Sequence, residues 1–365
     1  MGENNPALKT LKRRKSRIVK IGNIFIGGNM PIAIQAMTKI KTAHIEEVLK
    51  QIKELEKAGA RIIRLAIKDN EDALAIRQIK RVIKSPLVGD IHFDYRLAIR
   101  AIENGIDKIR LNPGNIRKKL EIKKIVELAK KNNIPIRVGL NSGSVKFIKN
   151  NSNLKNIVEV MLKEARDYLK FLESMNFYDT VISLKTSHPE STIEAYERMS
   201  KLCDYPFHLG LTATGTPLCG VVASSIVLGV LLRQGIGDTI RVSLTDSAIE
   251  EVKVAGYILQ SLGLCKLGIQ IISCPVCGRC EVDLVKIVKE LDIQLSTPNY
   301  QLSASPIKLA VMGCMVNGPG EASHADLGVA FGKKDGVLFK KGQIIKKITL
   351  KDCVGVLLKE IKNLN

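Results

Sequence analysis

From residue 31 to residue 244 the chain alternates between short runs of aliphatic and β-branched residues and longer stretches whose apolar positions return every three or four residues. The short runs lie at 31–38, 61–67, 86–93, 108–112, 135–141, 180–185, 207–212 and 239–244. They are too brief for helices and rich in Ile, Leu and Val, so they predict strands. The stretches between them predict helices, among them 44–58 (HIEEVLKQIKELEKA), which Gly59 stops, and 154–175; Gly105 and Asn132 end two more. Eight strand and helix units in succession predict an α/β fold of the (β/α)8 TIM-barrel type. An open doubly wound sheet is the alternative, but no Gly-x-Gly-x-x-Gly follows the first strand to favour it.

Past Leu267 the repeat stops. The expected division is a barrel domain over 1–267 and a small α+β domain over 268–365, with a helix at 282–291, a strand at 307–312 and a glycine-turned hairpin around Gly336 and Gly342. Hydrophobic residues make up 45% and charged residues 25%, which excludes a disordered chain. No apolar run is long enough to cross a bilayer, and the basic cluster Lys12, Arg13, Arg14, Lys15 and Arg17 precedes no apolar signal core. The expectation is a cytoplasmic protein with no membrane partner. A net charge of +21 attracts nucleic acid and anionic metabolites alike. With aromatics at 4%, no Trp and no helix-turn-helix or zinc-finger signature, nucleic acid is not the expected partner, and most of the lysines read as a solvated surface.

Residues two apart on a strand share a face, so polar pairs near the C-terminal ends of the strands point together into the barrel mouth, where barrel enzymes keep their sites. Those positions hold Arg64; Asp90 and His92; Arg110 and Asn112; Arg137 and Asn141; Ser183 and Lys185; His208 and Thr212; Arg241 and Ser243. Any one alone is as well explained by a rim ion pair or a satisfied core histidine. Five strands that each supply a cation are different, because such charges repel one another in a low-dielectric mouth unless an anion sits among them. A diphosphate meets that need, and arginine grips it bidentately. Gly235-Ile236-Gly237-Asp238, before the last strand, reads as a turn, with a phosphate-cradling loop as the alternative.

The run Cys274-Pro275-Val276-Cys277-Gly278-Arg279-Cys280 has metal-ligand spacing, and Cys314 follows in Gly313-Cys314-Met315-Val316-Asn317-Gly318-Pro319-Gly320-Glu321. Spacing leaves a closed zinc site and an iron-sulfur cluster both open; a thioredoxin-like pair lacks its βαβ setting. A non-catalytic basic zinc protein that binds nucleic acid is the rival to an enzyme. Cys203, Cys219, Cys265 and Cys353 are expected to be small buried residues.

Taken together, Arg13-Arg14-Lys15-Ser16, Ile26-Gly27-Gly28, Gln35-Ala36-Met37-Thr38, Asp90 to Arg96, Arg110 to Asn115, Gly235 to Thr239 and the two cysteine motifs resemble the 4-hydroxy-3-methylbut-2-enyl diphosphate synthase family of the methylerythritol phosphate route to isoprenoids. The resemblance covers nearly the whole chain. It implies one 4Fe-4S iron-sulfur cluster per subunit, held by Cys274, Cys277, Cys314 and Glu321. It also implies a barrel that binds 2-C-methyl-D-erythritol 2,4-cyclodiphosphate, a small cyclic diphosphate, and opens it reductively with loss of water. Electrons would come from ferredoxin or flavodoxin, and the enzyme would be a homodimer in which the cluster domain of one subunit closes the barrel of the other. Two positions depart from the family. Ala213 stands where the family usually has glutamate, so a carboxylate expected in the barrel mouth is absent, and Cys280 is an extra cysteine, expected to be a bystander.

Overall fold

The computed structural model describes residues 12–144, 154–212, 214–265, 268–295 and 307–364. It separates into two compact units, Met1–Cys265 and Lys266–Asn365. The boundary expected at Leu267 lies outside the described residues.

In the first unit eight parallel strands follow one another around a barrel: β3 (Ala33–Met37), β4 (Ile62–Ile67), β5 (Leu87–Ile91), β6 (Lys108–Leu111), β7 (Ile136–Asn141), β8 (Thr180–Lys185), β9 (His208–Leu209) and β10 (Thr239–Ile240). β10 pairs with both β3 and β9, and a parallel bridge from Ile182 to Phe207 joins β8 to the start of β9, which closes the ring. Helices α1 (Ile45–Lys57), α2 (Asn70–Val82), α3 (Tyr95–Glu103), α4 (Lys119–Lys131), α5 (Leu154–Ser174), α6 (Pro189–Ser200), α7 (Pro217–Arg233) and α8 (Ala248–Ser261) alternate with the strands. Where helices start, short polar side chains satisfy free backbone amides: Asp69 accepts from the Asp72 amide and Ser247 from that of Glu250.

Alternation along each strand decides what lies inside. On β6, Ile109 and Leu111 belong to the large hydrophobic core shared with the helices, so Lys108 and Arg110 face the barrel interior. The strands expected at 207–212 and 239–244 are both present but only two residues long. Gly210 turns to φ +153° and takes the chain out of the extended region, although the Arg241 amide still donates to the Leu209 carbonyl at 3.0 Å.

A short antiparallel hairpin, β1 (Val19–Ile21) and β2 (Ile24–Ile26), precedes the barrel and turns on Gly22-Asn23. Its Val19, Ile21 and Ile26 pack against Ala33, Ile62, Val88 and Val181, residues near the starts of four barrel strands. The hairpin therefore seals the N-terminal end of the barrel. An arm before it is stitched to the same end. Arg13 bonds the Asp238 carboxylate at 2.8 Å, the Ser16 hydroxyl donates to it at 3.0 Å and the Phe207 amide at 2.8 Å, while Arg14 lies 4.2 Å over the Phe207 ring. A Cβ on Gly235 would stand 2.3 Å from the Lys12 carbonyl oxygen. The Gly235–Asp238 loop thus anchors the arm at the closed end, and the phosphate-cradle alternative falls.

The second unit is a five-stranded sheet in the order β11 (Ile269–Ser273), β12 (Ile307–Met312), β13 (Leu327–Phe331), β14 (Asp335–Lys340) and β15 (Gln343–Thr349). The first three strands are parallel and the last two add as antiparallel hairpins. Helices α9 (Leu284–Leu295) and α11 (Cys353–Lys362) bury Leu284, Leu291, Leu357 and Ile361 with Leu309, Val311, Val329 and Phe331 of the sheet; α10 (Gly318–Ser323) is a short helix after β12. The strand expected at 307–312 is found at those bounds, and the helix expected at 282–291 runs from Leu284 to Leu295. Gly342 does turn a hairpin, at φ +80°, but Gly336 sits inside β14 opposite Phe331, whose ring lies 2.7 Å from where a Cβ would be. Among the described residues no helix is long and apolar enough to cross a membrane.

Candidate active site

Asp90 on β5 organises the barrel interior. Its carboxylate, fully buried, meets Arg64 at 2.5 Å, Arg110 at 3.3 Å and the His92 ring at 3.2 Å. Burial alone would raise this carboxyl, but the Arg64 charge, the His92 hydrogen bond and Arg110 overcome it and hold Asp90 well below the usual carboxylate range. Arg110 also donates to the Gly139 carbonyl at 2.9 Å. Arg137 reaches Gln35 at 3.4 Å, and Arg241 pairs at 3.3 Å with Glu251 of α8, a carboxylate that Lys39 approaches to 3.2 Å.

The balance of charge is the main property of this interior. Among the described residues Arg64, Lys108, Arg110, Arg137, Lys185 and Arg241 are balanced by Asp90 and Glu251 alone. Burial, followed by the neighbouring arginines, pushes Lys108, and Arg137 with it, well below their ordinary values; Lys185 and His208 are depressed in the same way. Lys108 Nζ, Arg137 Nε, Arg64 Nε, Arg241 Nε and Gln35 Nε2 are buried without a hydrogen-bond acceptor, and His208, held at Nδ1 by Thr239 at 2.9 Å, leaves Nε2 without a partner. Buried unpaired donors are costly, and so many around one axis call for an anion.

Of the positions read from the sequence, Arg64, Asp90, Arg110, Arg137, Ser183, Lys185 and His208 lie on inward faces of the strands, with Arg241 just beyond β10. Asn112 is buried at the end of β6, where its Oδ1 accepts from the Gly114 amide at 3.0 Å and the Ser144 hydroxyl at 3.3 Å. The Asn141 carbonyl also accepts from Ser144, at 2.8 Å. Thr212 and Ser243 stand on the loops after β9 and β10; the Thr212 amide donates to Thr186, and Thr214 ties the two loops by donating to the Ser243 carbonyl at 2.9 Å. Ala213 lies outside the described residues.

Besides Gln35, Lys39 and Glu251, sequence reasoning missed a lysine and two glycines. Lys108 shares a face with Arg110 but sits at the start of β6, one layer deeper, beside Val88. Gly139 and Gly210 make space: a Cβ on the first would stand 2.8 Å from Arg110 Nε, and on the second 2.6 Å from Lys185 Nζ. Glycines on inward strand positions were the available signal.

In the second unit the sheet brings the two cysteine motifs together. β11 and β12 are adjacent parallel strands, with Ser273 opposite Val311, so Cys274 and Gly313-Cys314 leave the sheet side by side. The Gly313 amide donates to Cys274 Sγ at 3.3 Å, and Glu321 follows on α10. All three cysteines are unpaired, Cys277 fully exposed and Cys274 and Cys314 half-buried. The Arg279 amide and then its guanidinium hold the Cys277 thiol below its ordinary value, which favours the thiolate that metals bind. Among the described residues no three His, Cys, Asp or Glu converge on a single ion. Three thiols on loops beyond β11 and β12, with the Glu321 carboxylate on α10 after them, form a donor set whose chemistry fits a thiolate-held iron-sulfur cluster. Elsewhere, Cys353 is buried as expected and Cys203 and Cys265 are half-buried, but Cys219 is exposed in the first turn of α7, where no core covers it.

A closed (β/α)8 barrel with a cation-rich interior, joined in one chain to a thiol-bearing α+β unit, defines a class of two-unit barrel proteins. The GcpE TIM-barrel domain matches residues 16–256 and the GcpE protein C-terminal domain matches residues 270–363, and the chain belongs to the GcpE family. It is 48% identical to a 4-hydroxy-3-methylbut-2-en-1-yl diphosphate synthase (flavodoxin) of Fusobacterium nucleatum, over 96% of this chain and 97% of that protein. The proteins of the same name from Clostridium perfringens and Caldanaerobacter subterraneus are 48% and 49% identical, over 97% and 96% of this chain and 100% and 98% of theirs. Among solved structures, a dihydropteroate synthase of Yersinia pestis aligns with a TM-score of 0.48 at 12% identity, over 67% of this chain and 98% of that one.

Proposed function

We propose that this protein is a 4-hydroxy-3-methylbut-2-en-1-yl diphosphate synthase, acting in the cytoplasm on 2-C-methyl-D-erythritol 2,4-cyclodiphosphate with electrons from flavodoxin. The observation that carries the reading is the excess of buried cations over carboxylates inside the barrel, which a diphosphate would neutralise. Arg64, Arg110, Arg137, Lys185 and Arg241 would grip the two phosphoryl groups, and the same donors would stabilise the charge that grows as the ring opens. Asp90 orients Arg64, Arg110 and His92, and half-exposed His92 would offer its ring to the substrate. Asn112, Asn141, Ser183, His208, Thr212 and Ser243 offer neutral hydrogen bonds along the same wall. Cys274, Cys277, Cys314 and Glu321 would hold the 4Fe-4S cluster, which when bound supplies single electrons and an iron able to act as a Lewis acid. The conversion consumes two electrons and releases one oxygen as water.

Homodimer formation is part of the proposal. It is supported by α7, which has no charged residue before Arg233 and leaves Leu218, Val222, Ile226 and Val230 exposed at four-residue intervals, a stripe suited to a second copy of itself. Sedimentation of Ile226→Glu should then give a monomer. Anaerobic turnover of the cyclic diphosphate with reduced flavodoxin tests the activity itself, and a chain that carries its full cluster yet forms no product would end the assignment. Arg110→Ala and Lys185→Ala should weaken substrate binding and leave the visible spectrum of the cluster unchanged. Stoichiometric zinc in place of iron after anaerobic reconstitution would favour the rival reading.

A further inference from the structure

Among the thiols outside the proposed ligand set, Cys280 is the one within the same cysteine motif, and its surroundings single it out. Its amide donates to the Cys277 carbonyl at 2.9 Å, closing a turn over Gly278 and Arg279. Such a turn keeps the two Cα atoms within about 7 Å, and a disulfide spans about 4.4 to 6.8 Å. The earlier pair at the same spacing, Cys274 and Cys277, is not closed in this way among the described residues. Pro275 biases Cys274 toward extended backbone there, and Cys274 Sγ is engaged by the Gly313 amide.

The two sulfurs are also unequally exposed. Cys277 is open to solvent, and a Cβ on Gly278 would meet nothing within 4 Å, so a small molecule can reach the turn. Cys280 is half-buried, with its thiol donating to the Val282 carbonyl at 3.2 Å and lying 2.4 Å from where a Gly313 Cβ would be. Rotation about χ1 frees it at the loss of one weak hydrogen bond.

We propose that Cys277 and Cys280 form a thiol–disulfide site, closed in the cluster-free chain by a low-molecular-weight disulfide such as oxidised glutathione. The Cys277 sulfur attacks one sulfur of the small disulfide, whose S–S bond breaks; one small thiol leaves, taking up through solvent the proton that Cys277 gives up. The Cys280 sulfur then attacks the Cys277 sulfur and expels the second small thiol. The two cysteines give up two electrons and two protons, and the small disulfide ends as two thiols. A reversible bridge of this kind keeps Cys277 from the irreversible oxidation states and returns it to the ligand set on reduction.

The inference rests on the cluster reading only in taking Cys277 to be a ligand, so both are measured on one preparation. The full-length chain is stripped of iron anaerobically, exposed to oxidised glutathione and mapped by mass spectrometry without reduction. A Cys277–Cys280 bridge, absent when the cluster-loaded chain is treated alike, is expected, and Cys280→Ser should stop at a glutathione adduct on Cys277. An adduct that persists in the parent chain, or a bridge from Cys277 to Cys274 or Cys314, overturns the proposal. Iron and sulfide content of the reduced, reconstituted chain separates the two ideas: a bridged chain that takes up no cluster refutes the ligand reading alone.

Discussion

Gly139→Ala tests how tightly the barrel interior is built. The glycine has no left-handed backbone, so alanine fits its φ, and the cost falls on Arg110 alone. The new Cβ would stand 2.8 Å from Arg110 Nε, 3.4 Å from Cγ and 3.6 Å from Cδ. Restoring ordinary contact displaces the guanidinium by roughly 0.7 to 1.2 Å, and a side chain only 4% exposed has little room to yield. The bonds at risk are those to the Gly139 carbonyl at 2.9 Å and to Asp90 at 3.3 Å. A charge-assisted hydrogen bond contributes about 1.5 to 3 kcal/mol, so misplacing this fork should weaken binding of the cyclic diphosphate by roughly 10- to 150-fold. Anaerobic calorimetric titration reads the affinity, and the visible absorbance of the cluster should not change. In an Arg110→Ala background the methyl should cost almost nothing. If the two losses simply add, Gly139 does not act through Arg110 and the reasoning fails.

Asp90→Asn leaves Arg64 and Arg110 without their buried counter-charge and should cost about 3 to 5 kcal/mol in denaturant unfolding at neutral pH. Because the folded Asp90 pKa is depressed, its contribution is present above about pH 4 and lost only as pH falls through the folded value, so parent and variant should converge in acid and not before. Lys108→Met removes a buried ammonium that has no partner and should stabilise the unliganded chain by about 1 to 3 kcal/mol. The Lys108 pKa is also depressed, so the parent should recover that deficit as pH rises toward 10.5, and a thermal-shift difference that stays constant over that range would count against the depression. Asp238→Ala, at the sealed end, should lower stability by about 3 to 5 kcal/mol by stranding Arg13, while substrate affinity holds.

Much of the architecture was legible because the barrel strands are buried on both sides and bounded by helix signals, so each shows as a compact aliphatic run. The interior cations were legible for a related reason: a period of two puts Arg110 on the face opposite Ile109 whatever the tertiary context. What lay hidden depended on position along the barrel axis. Lys108 has the same facing as Arg110, but attention to strand ends passes over strand beginnings; the Gly235–Asp238 loop leads from a helix into a strand, which puts it at the N-terminal end of the barrel, and the phosphate-cradle alternative overlooked that order. The hairpin of β1 and β2 escaped because three-residue strands give no periodicity, though Gly22-Asn23 between VKI and IFI is a turn signal. The nearness of Cys274 to Gly313 required knowing that β11 and β12 are neighbours, and β11 itself was not read.

The arm that closes the barrel floor links residues far apart in the chain, since Arg13 meets Asp238 across 225 positions. The arm therefore cannot dock until nearly the whole barrel has been made. At about 5 to 20 residues per second Arg13 waits roughly 10 to 45 seconds for Asp238, and contacts of such high order form late in folding. A nascent chain held short of residue 238 should thus leave the arm around Arg13 open to proteases, and completion of the final strand is the event that withdraws it.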